Sequence, residues 1–375
     1  MYNQVYKKST RNSNVELLRI ISMLLIVAFH CAGQMGYKQY DNTPFVYITS
    51  VLLGSWGILG VDVFVIISAY YLVEQRFRTT KVLHILFQTF TYLIGFALLS
   101  VAYITYTEHS FFYAVKRVAI NAWDGFWEPL WSGHYWFVTS YLLMLIVSPL
   151  LNLLIERLSK DFLKKLLIIF LFVPIYAQFG SSYVADTMNF CYIYLLVGYI
   201  KKYDIPFFDR IAKVRCAILI SSSIIASNVL LYFWRPKFLK DLLLNTIGNT
   251  GRNSIIILFL SLIVFLIVIK RHHFQNSIIN TVASFTFGVY LFHGYGVYSW
   301  FKRSGSFIFQ KLIDLGLIKE DYLFPGRFIV AVIIVFIIGL IIECVRNYTI
   351  QRPFMRLFTR KFGSFFNKID AWFVF

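Results

Sequence analysis

The sequence predicts an all-α protein, a bundle of about ten transmembrane helices with both termini in the cytoplasm. Of its 375 residues, 58% are hydrophobic and only 14% are charged, and the mean hydropathy is +0.67. Apolar stretches long enough to cross a bilayer recur along the chain, and short basic loops separate them. This composition excludes a soluble globular protein.

The predicted spans follow the apolar stretches in chain order. They lie at 15–33, 56–73, 83–105, 134–155, 164–180, 188–200, 215–234, 253–269, 277–299 and 327–345. Residues 45–55 either lengthen the second span or form a re-entrant piece. The first apolar run lacks a small-residue cleavage site, which favours a retained span over a signal peptide. We therefore predict a transmembrane domain over 1–345 and a basic, aromatic cytoplasmic tail over 346–375.

The distribution of Lys and Arg sets the predicted orientation. With the N-terminus inside, 24 of the 36 Lys and Arg residues fall on the cytoplasmic side, which is the positive-inside pattern and gives an even number of spans. The net charge of +18 therefore reflects membrane orientation, and we expect no nucleic-acid partner. The four cysteines are scattered, so neither a disulfide framework nor a metal site is predicted.

Two residues of the first span, Arg19 and His30, are the strongest candidates for a functional role. Their spacing of about three helical turns places both on nearly the same face, roughly 16 Å apart along the helix axis. Charged and titratable side chains are costly in a bilayer and mark functional sites. A basic group at the cytoplasmic end and an imidazole further out fit an anionic cytoplasmic donor whose reactive end points outward. In the alternative interpretation, Arg19 only extends its charged end to the inner membrane surface and His30 is a hydrogen-bonded structural residue.

Three further charged residues, in the second span and the loop after it, are candidates for a role beside Arg19 and His30. Asp62, within the second span, is expected either to hold the His30 ring in one tautomer or to pair with Arg19. Arg76 and Arg78, in the following cytoplasmic loop, either bind phosphate groups or only set the orientation of the chain.

The predicted external side carries aromatic residues beside a carboxylate. Trp127 and Glu128 lie in the loop before the fourth span, and His134 and Trp136 lie at the outer end of that span. Aromatic rings can stack on a sugar while a carboxylate accepts hydrogen bonds from its hydroxyls. The pattern therefore indicates either a pocket for a saccharide or an interfacial aromatic belt.

Five short motifs occur in order along nearly the whole chain. They are Asn14–Arg19 with His30, Gly60–Ser68, Gly133–Phe137, Phe287–His293 and Gln351–Pro353. Together they resemble the acyltransferase-3 family of integral membrane acyltransferases. Ala69 and Gln351 depart from the family pattern, in which glycine and glutamate are usual at these places. Neither departure affects Arg19 or His30.

The resemblance implies transfer of an acyl group, usually acetyl, from cytoplasmic acyl-CoA (acetyl-CoA) to a hydroxyl of a surface or lipid-linked polysaccharide. It implies a multi-pass protein of the bacterial plasma membrane whose partners are acyl-CoA, a saccharide acceptor and the lipid bilayer, without a metal. The residues expected to bind CoA are Arg19, Arg76 and Arg78, and those expected to bind the acceptor are His134, Trp136 and Glu128.

His30 is the expected general base, with Asp62 as its catalytic partner. A neutral imidazole can take the proton of a sugar hydroxyl as that hydroxyl attacks the thioester. An acyl-histidine intermediate stays open as an alternative. His293 is expected to be a packing residue. The alternative function is a transporter or polymerase of a polysaccharide or lipid-linked sugar, which would not consume a thioester.

Overall fold

The computed structural model describes residues 11–34, 44–73, 75–119, 135–177, 183–203, 205–233, 254–293 and 320–373. Almost all of these residues are helical, and none of them lies in a strand, which confirms the predicted fold class. Four described helical segments are long and apolar enough to cross a membrane, and shorter apolar helices accompany them. The number of ten spans stays a prediction.

The helices follow the predicted spans closely. In chain order they are α1 (Ser13–Gln34), α2 (Pro44–Leu72), α3 (Thr79–Glu108), α4 (Trp136–Arg157), α5 (Lys160–Ile169), α6 (Phe172–Ala177), α7 (Tyr183–Lys202), α8 (Pro206–Ile211), α9 (Val214–Phe233), α10 (Ile255–Ile269), α11 (Ser277–His293), α12 (Glu320–Arg346) and α13 (Arg352–Trp372). A further helical stretch covers 111–119. Because α2 begins at Pro44, residues 45–55 lengthen the second span.

The segment predicted as one span at 164–180 is instead two short helices, α5 and α6. Pro174 has no N–H, so it cannot donate to the carbonyl of Phe170, and its ring crowds the preceding turn. Pro149 creates the same difficulty inside α4. Pro149 cannot donate a hydrogen bond to the carbonyl of Leu145, one turn earlier. The hydroxyl of Ser148 donates to that carbonyl instead, at 2.7 Å.

Helix α1 lies in the core, where it packs against α2, α10, α11 and α12. A Cβ atom on Gly60 would lie 2.5 Å from the carbonyl oxygen of Ser22, so glycine is what allows α2 to approach α1 so closely. The guanidinium carbon of Arg19 lies 5.9 Å from the ring centroid of Phe64. This register places Asp62 between the levels of Arg19 and Ser22 along α1.

The outward face of α12 is strongly apolar. Ile329, Ile333, Ile337 and Ile341 recur once per turn, and each leaves 48–58% of its surface uncovered. In water, a continuous stripe of this kind is rare on a folded monomer. Lipid tails are as apolar as these side chains, so a bilayer accommodates the stripe.

A buried ionic network joins α12 to α3. Arg346 donates from Nε and Nη2 to the two carboxylate oxygens of Glu343, each at 2.7 Å. Gln88 at 3.0 Å and Tyr92 at 2.9 Å donate to the same carboxylate. Glu343 is only 1% exposed, and a Cβ atom on Gly288 of α11 would lie 2.3 Å from its Cγ. The glycine therefore leaves the space that this fully hydrogen-bonded ion pair occupies.

The same network also fixes the position of the segment that follows α12. Asn347–Gln351 form a single π-helical turn. Within it, Gln351 is completely buried and accepts a hydrogen bond from Nη1 of Arg346. Its amide nitrogen donates to the carbonyl of His84 on α3 at 3.0 Å. These bonds hold the start of α13 against the first turns of α3.

Candidate functional site

Helices α1 and α11 bring His30 and His293 into contact. Nε2 of His293 lies 3.0 Å from Nδ1 of His30, and the ring centroids are 4.9 Å apart. His293 is fully buried, whereas His30 is only partly buried. The histidine that was expected to serve packing therefore contacts the predicted base directly.

Two backbone carbonyls indicate which nitrogen of each ring carries the proton. Nδ1 of His293 lies 2.8 Å from the carbonyl of Val289, and Nδ1 of His30 lies 3.0 Å from that of Ile26. Because a carbonyl only accepts, these contacts favour the tautomers with a hydrogen on each Nδ1. In these tautomers the single Nδ1–H of His30 is shared between the carbonyl of Ile26 and Nε2 of a neutral His293. A neutral His30 therefore carries its lone pair on Nε2, the form that a general base requires.

The structure pairs Arg19 with Glu16 and not with Asp62, which corrects one of the two roles expected for that aspartate. Nη1 of Arg19 donates to Oε2 of Glu16 at 2.6 Å, one helical turn away. Asp62 is 2% exposed, and its carboxylate forms no hydrogen bond or ion pair with the residues that the structure describes. The described contact that orients the His30 ring across helices comes from His293. The catalytic role of Asp62 stays a prediction.

A cavity of about 760 Å³ lies between α3, α4 and α13. The first turns of α3 and α13, which are predicted to face the cytoplasm, form one part of its wall, and Tyr141 and Leu145 from the first half of α4 form another. Its polar lining consists mainly of basic side chains. Of the three arginines predicted to bind phosphate, Arg78 lines this cavity, whereas Arg19 and Arg76 do not. The lining also includes Lys81, His84, Tyr141, Arg352 and Arg356.

A column of packed aromatic rings connects the cavity wall to the histidine pair. Tyr141 lines the cavity and stacks on Phe137 at a centroid distance of 5.7 Å. Phe137 lies 5.4 Å from Tyr290, which lies 5.6 Å from His293. Phe64 also reaches Phe137, at 6.0 Å. Residues from three of the sequence motifs therefore meet at the ring of Phe137.

The predicted acceptor residues are described only in part. Trp136 begins α4 and packs on Phe190, with ring centroids 6.2 Å apart. His134 and Glu128 lie outside the described residues. Within the part of the chain that the structure describes, no group of three or more His, Cys, Asp or Glu side chains is placed to hold a metal ion.

Sequence reasoning missed two contributions to this arrangement. The first is the contact of His293 with His30, although both residues lie in the outer halves of their predicted spans. The second is the position of Arg352 and Arg356 on the cavity wall. Their spacing of one helical turn, in a tail whose apolar residues recur with a helical period, was the available signal.

Comparison with known protein families identifies a family for most of the chain. A family model described as an acyltransferase domain matches residues 12–344. No curated protein and no solved structure matches the chain. The matched segment contains His30, Asp62 and His293, and it ends two residues before Arg346.

Proposed function

This chain belongs to the acyltransferase-3 family of integral membrane acyltransferases, and we propose that it moves an acetyl group from cytoplasmic acetyl-CoA to a hydroxyl of a surface or lipid-linked polysaccharide. Its place of action is then the bacterial plasma membrane. The observation that carries this proposal is the contact between His293 and His30, which supports a lone pair on Nε2 of His30.

The proposed reaction uses His30 as a general base. Its Nε2 takes the proton of the acceptor hydroxyl while the hydroxyl oxygen forms a bond to the thioester carbonyl carbon. The tetrahedral intermediate then collapses, the carbon–sulfur bond breaks, and the leaving CoA thiolate takes the proton from the imidazolium. His293 accepts a hydrogen bond from Nδ1–H of His30 throughout, so it supports the positive charge that forms transiently on that ring.

The donor is proposed to enter from the cytoplasmic cavity. Arg78 and Lys81 line this cavity and supply positive charge for the nucleotide end of acyl-CoA. The uncharged pantetheine arm would extend from Tyr141 along the aromatic column towards His30. Arg19, with its side chain 18% exposed, is the proposed donor contact nearer the thioester.

The acceptor is proposed to approach from the opposite side. Trp136 lies at the predicted outer end of α4, where a ring can stack on a sugar. His134 and Glu128 are its proposed neighbours in the acceptor pocket. This arrangement separates the charged donor from the saccharide, and the two would meet at Nε2 of His30.

Consumption of the thioester tests this function against the alternative of transport or polymerisation. We expect the purified chain in lipid nanodiscs to release free thiol from acetyl-CoA when the host's surface glycan is present. We also expect acetyl signals in the proton spectrum of that glycan to disappear when the chain is absent from the host. Intact acetyl-CoA, together with a change in the amount of polymer, would instead support a transporter or polymerase.

Replacing His293 tests whether it positions the base. His293→Leu is expected to lower kcat on the order of tenfold at unchanged KM for acetyl-CoA, because His30 loses one hydrogen-bond acceptor. His293→Gln keeps an acceptor oxygen and is expected to retain most of the activity. The measurement is thiol release as a function of donor concentration. Equal losses in both variants would show that His293 serves packing only.

A further inference from the structure

Helix α13 lies across the cytoplasmic cavity and is fixed at both ends. Near its start, the ring of Phe354 stacks on Phe87 of α3, with centroids 3.9 Å apart and planes inclined by 2°. At its end, Asp370 accepts hydrogen bonds from the backbone N–H and the hydroxyl of Thr79, at 2.7 and 2.6 Å. Because Asp370 caps the first turn of α3, the far end of the tail helix is bonded to the membrane domain.

Basic side chains from two helices line this cavity. Arg78 and Lys81 belong to the α3 side, and Arg352 and Arg356 belong to α13. None of the lining residues that the structure describes is acidic. Four cations around one cavity repel each other unless an anion lies between them. The arrangement therefore favours a ligand with several negative charges.

The two tail arginines differ in how they are held. Nε of Arg352 donates to the side chain of Asn347 at 2.9 Å, and its guanidinium lies 4.0 Å from the ring centroid of Tyr348. The guanidinium of Arg356 forms no hydrogen bond or ion pair with the described part of the chain, and only its backbone carbonyl accepts a hydrogen bond from a side chain, that of Thr359. Arg352 is thus preoriented at the wall, and the guanidinium of Arg356 can turn to a ligand.

We propose that α13 forms half of a phosphate-binding site, in which Arg352 and Arg356 bind the diphosphate and ribose phosphate of acyl-CoA opposite Arg78 and Lys81. This inference rests on the proposed function, because it takes acyl-CoA as the donor. Guanidinium groups match phosphate oxygens with two parallel hydrogen bonds. Both tail arginines lie beyond residues 12–344, the segment that the family model matches, and Arg356 also lies beyond the Gln351–Pro353 motif that contains Arg352.

Phosphate groups could also come from the headgroups of anionic lipids. The observations favour the nucleotide, because four basic side chains line one cavity whose volume is typical of small-molecule sites. The lining also includes the hydroxyl-bearing residues Thr80, Tyr141 and Thr359, which suit ribose and phosphate oxygens. A single headgroup phosphate carries too little charge to balance the four cations that line this cavity.

The test compares Arg356→Ala with Arg360→Ala in the full chain. Arg360 lies one turn further along α13, is exposed and does not line the cavity, so it is a matched control. Binding of CoA is measured by calorimetry in nanodiscs of uncharged phosphatidylcholine, and KM is measured for acetyl-CoA and for acetyl-pantetheine, which has no phosphate. We expect Arg356→Ala to weaken CoA binding about tenfold and to leave KM for acetyl-pantetheine unchanged. Arg360→Ala should change neither.

Each other outcome has a definite meaning. Equal increases in KM for both donors would show that Arg356 only supports the fold, and the inference would be overturned. Unchanged CoA binding, with weaker binding of Arg356→Ala to phosphatidylglycerol vesicles, would assign the site to lipid headgroups and also overturn it. CoA binding that depends on Arg356 without any release of thiol would support the phosphate site and contradict the proposed acyl transfer.

Discussion

Replacing His30 with alanine is expected to lower the rate of acyl transfer about 10²- to 10⁴-fold, the usual contribution of a positioned general base. The hydroxyl of a sugar is a poor nucleophile when no group takes its proton. His30 is only partly buried, so the protein should fold and reach the membrane normally. The measurement is thiol release from acetyl-CoA at equal amounts of membrane protein, with the acetyl content of the surface glycan as a second readout.

The matched control for this variant is His272→Ala. His272 is exposed at the other end of the bundle, before α11, and only its backbone carbonyl is used, by the side chain of Asn14. We expect activity equal to that of the unchanged chain. Acyl transfer that persists in His30→Ala would remove the base assignment. An acetylated protein, seen by mass spectrometry when donor is supplied without acceptor, would show that His30 is instead the nucleophile of an acyl-enzyme.

Replacing Arg346 with methionine is expected to destabilise the protein by about 3–5 kcal/mol, because it leaves the Glu343 carboxylate buried without its counter-charge. Gln88 and Tyr92 alone cannot neutralise that charge, although both donate to it. The shift is measured by thermal unfolding of the purified chain in detergent. The variant should also loosen Gln351, which accepts a hydrogen bond from the same arginine.

An exposed ion pair provides the control for this prediction. Lys270 pairs with Asp209 at the surface, with side chains 43% and 52% exposed, and Lys270→Met is expected to cost no more than about 1 kcal/mol. Removing both charges of the buried pair, with Glu343→Gln and Arg346→Met together, should cost less than Arg346→Met alone. A similar small shift for Arg346→Met and Lys270→Met would mean that the buried network does not hold α12 to α3.

Several features followed from local sequence patterns. A bilayer leaves the backbone no partner but itself, so long apolar stretches must become helices, and most predicted spans coincide with described helices. The helical period also places Arg19 and His30 on one stripe, because it depends only on their separation along the chain. Where local chemistry was overlooked, the prediction failed: Pro174 interrupts the predicted span at 164–180.

By itself, the sequence determined a helical membrane bundle, its family motifs and the placement of Arg19 and His30 on one face of α1. Only the tertiary structure decided which side chains meet across helices. His30 and His293 are 263 residues apart along the chain, and Gln351 reaches His84 across 267 residues. Helical periodicity states which face of a helix is polar, but it does not state which other helix that face contacts. Which helices contact each other depends on how all of them pack together. Close approaches, such as that of α2 to α1 at Gly60, determine these contacts.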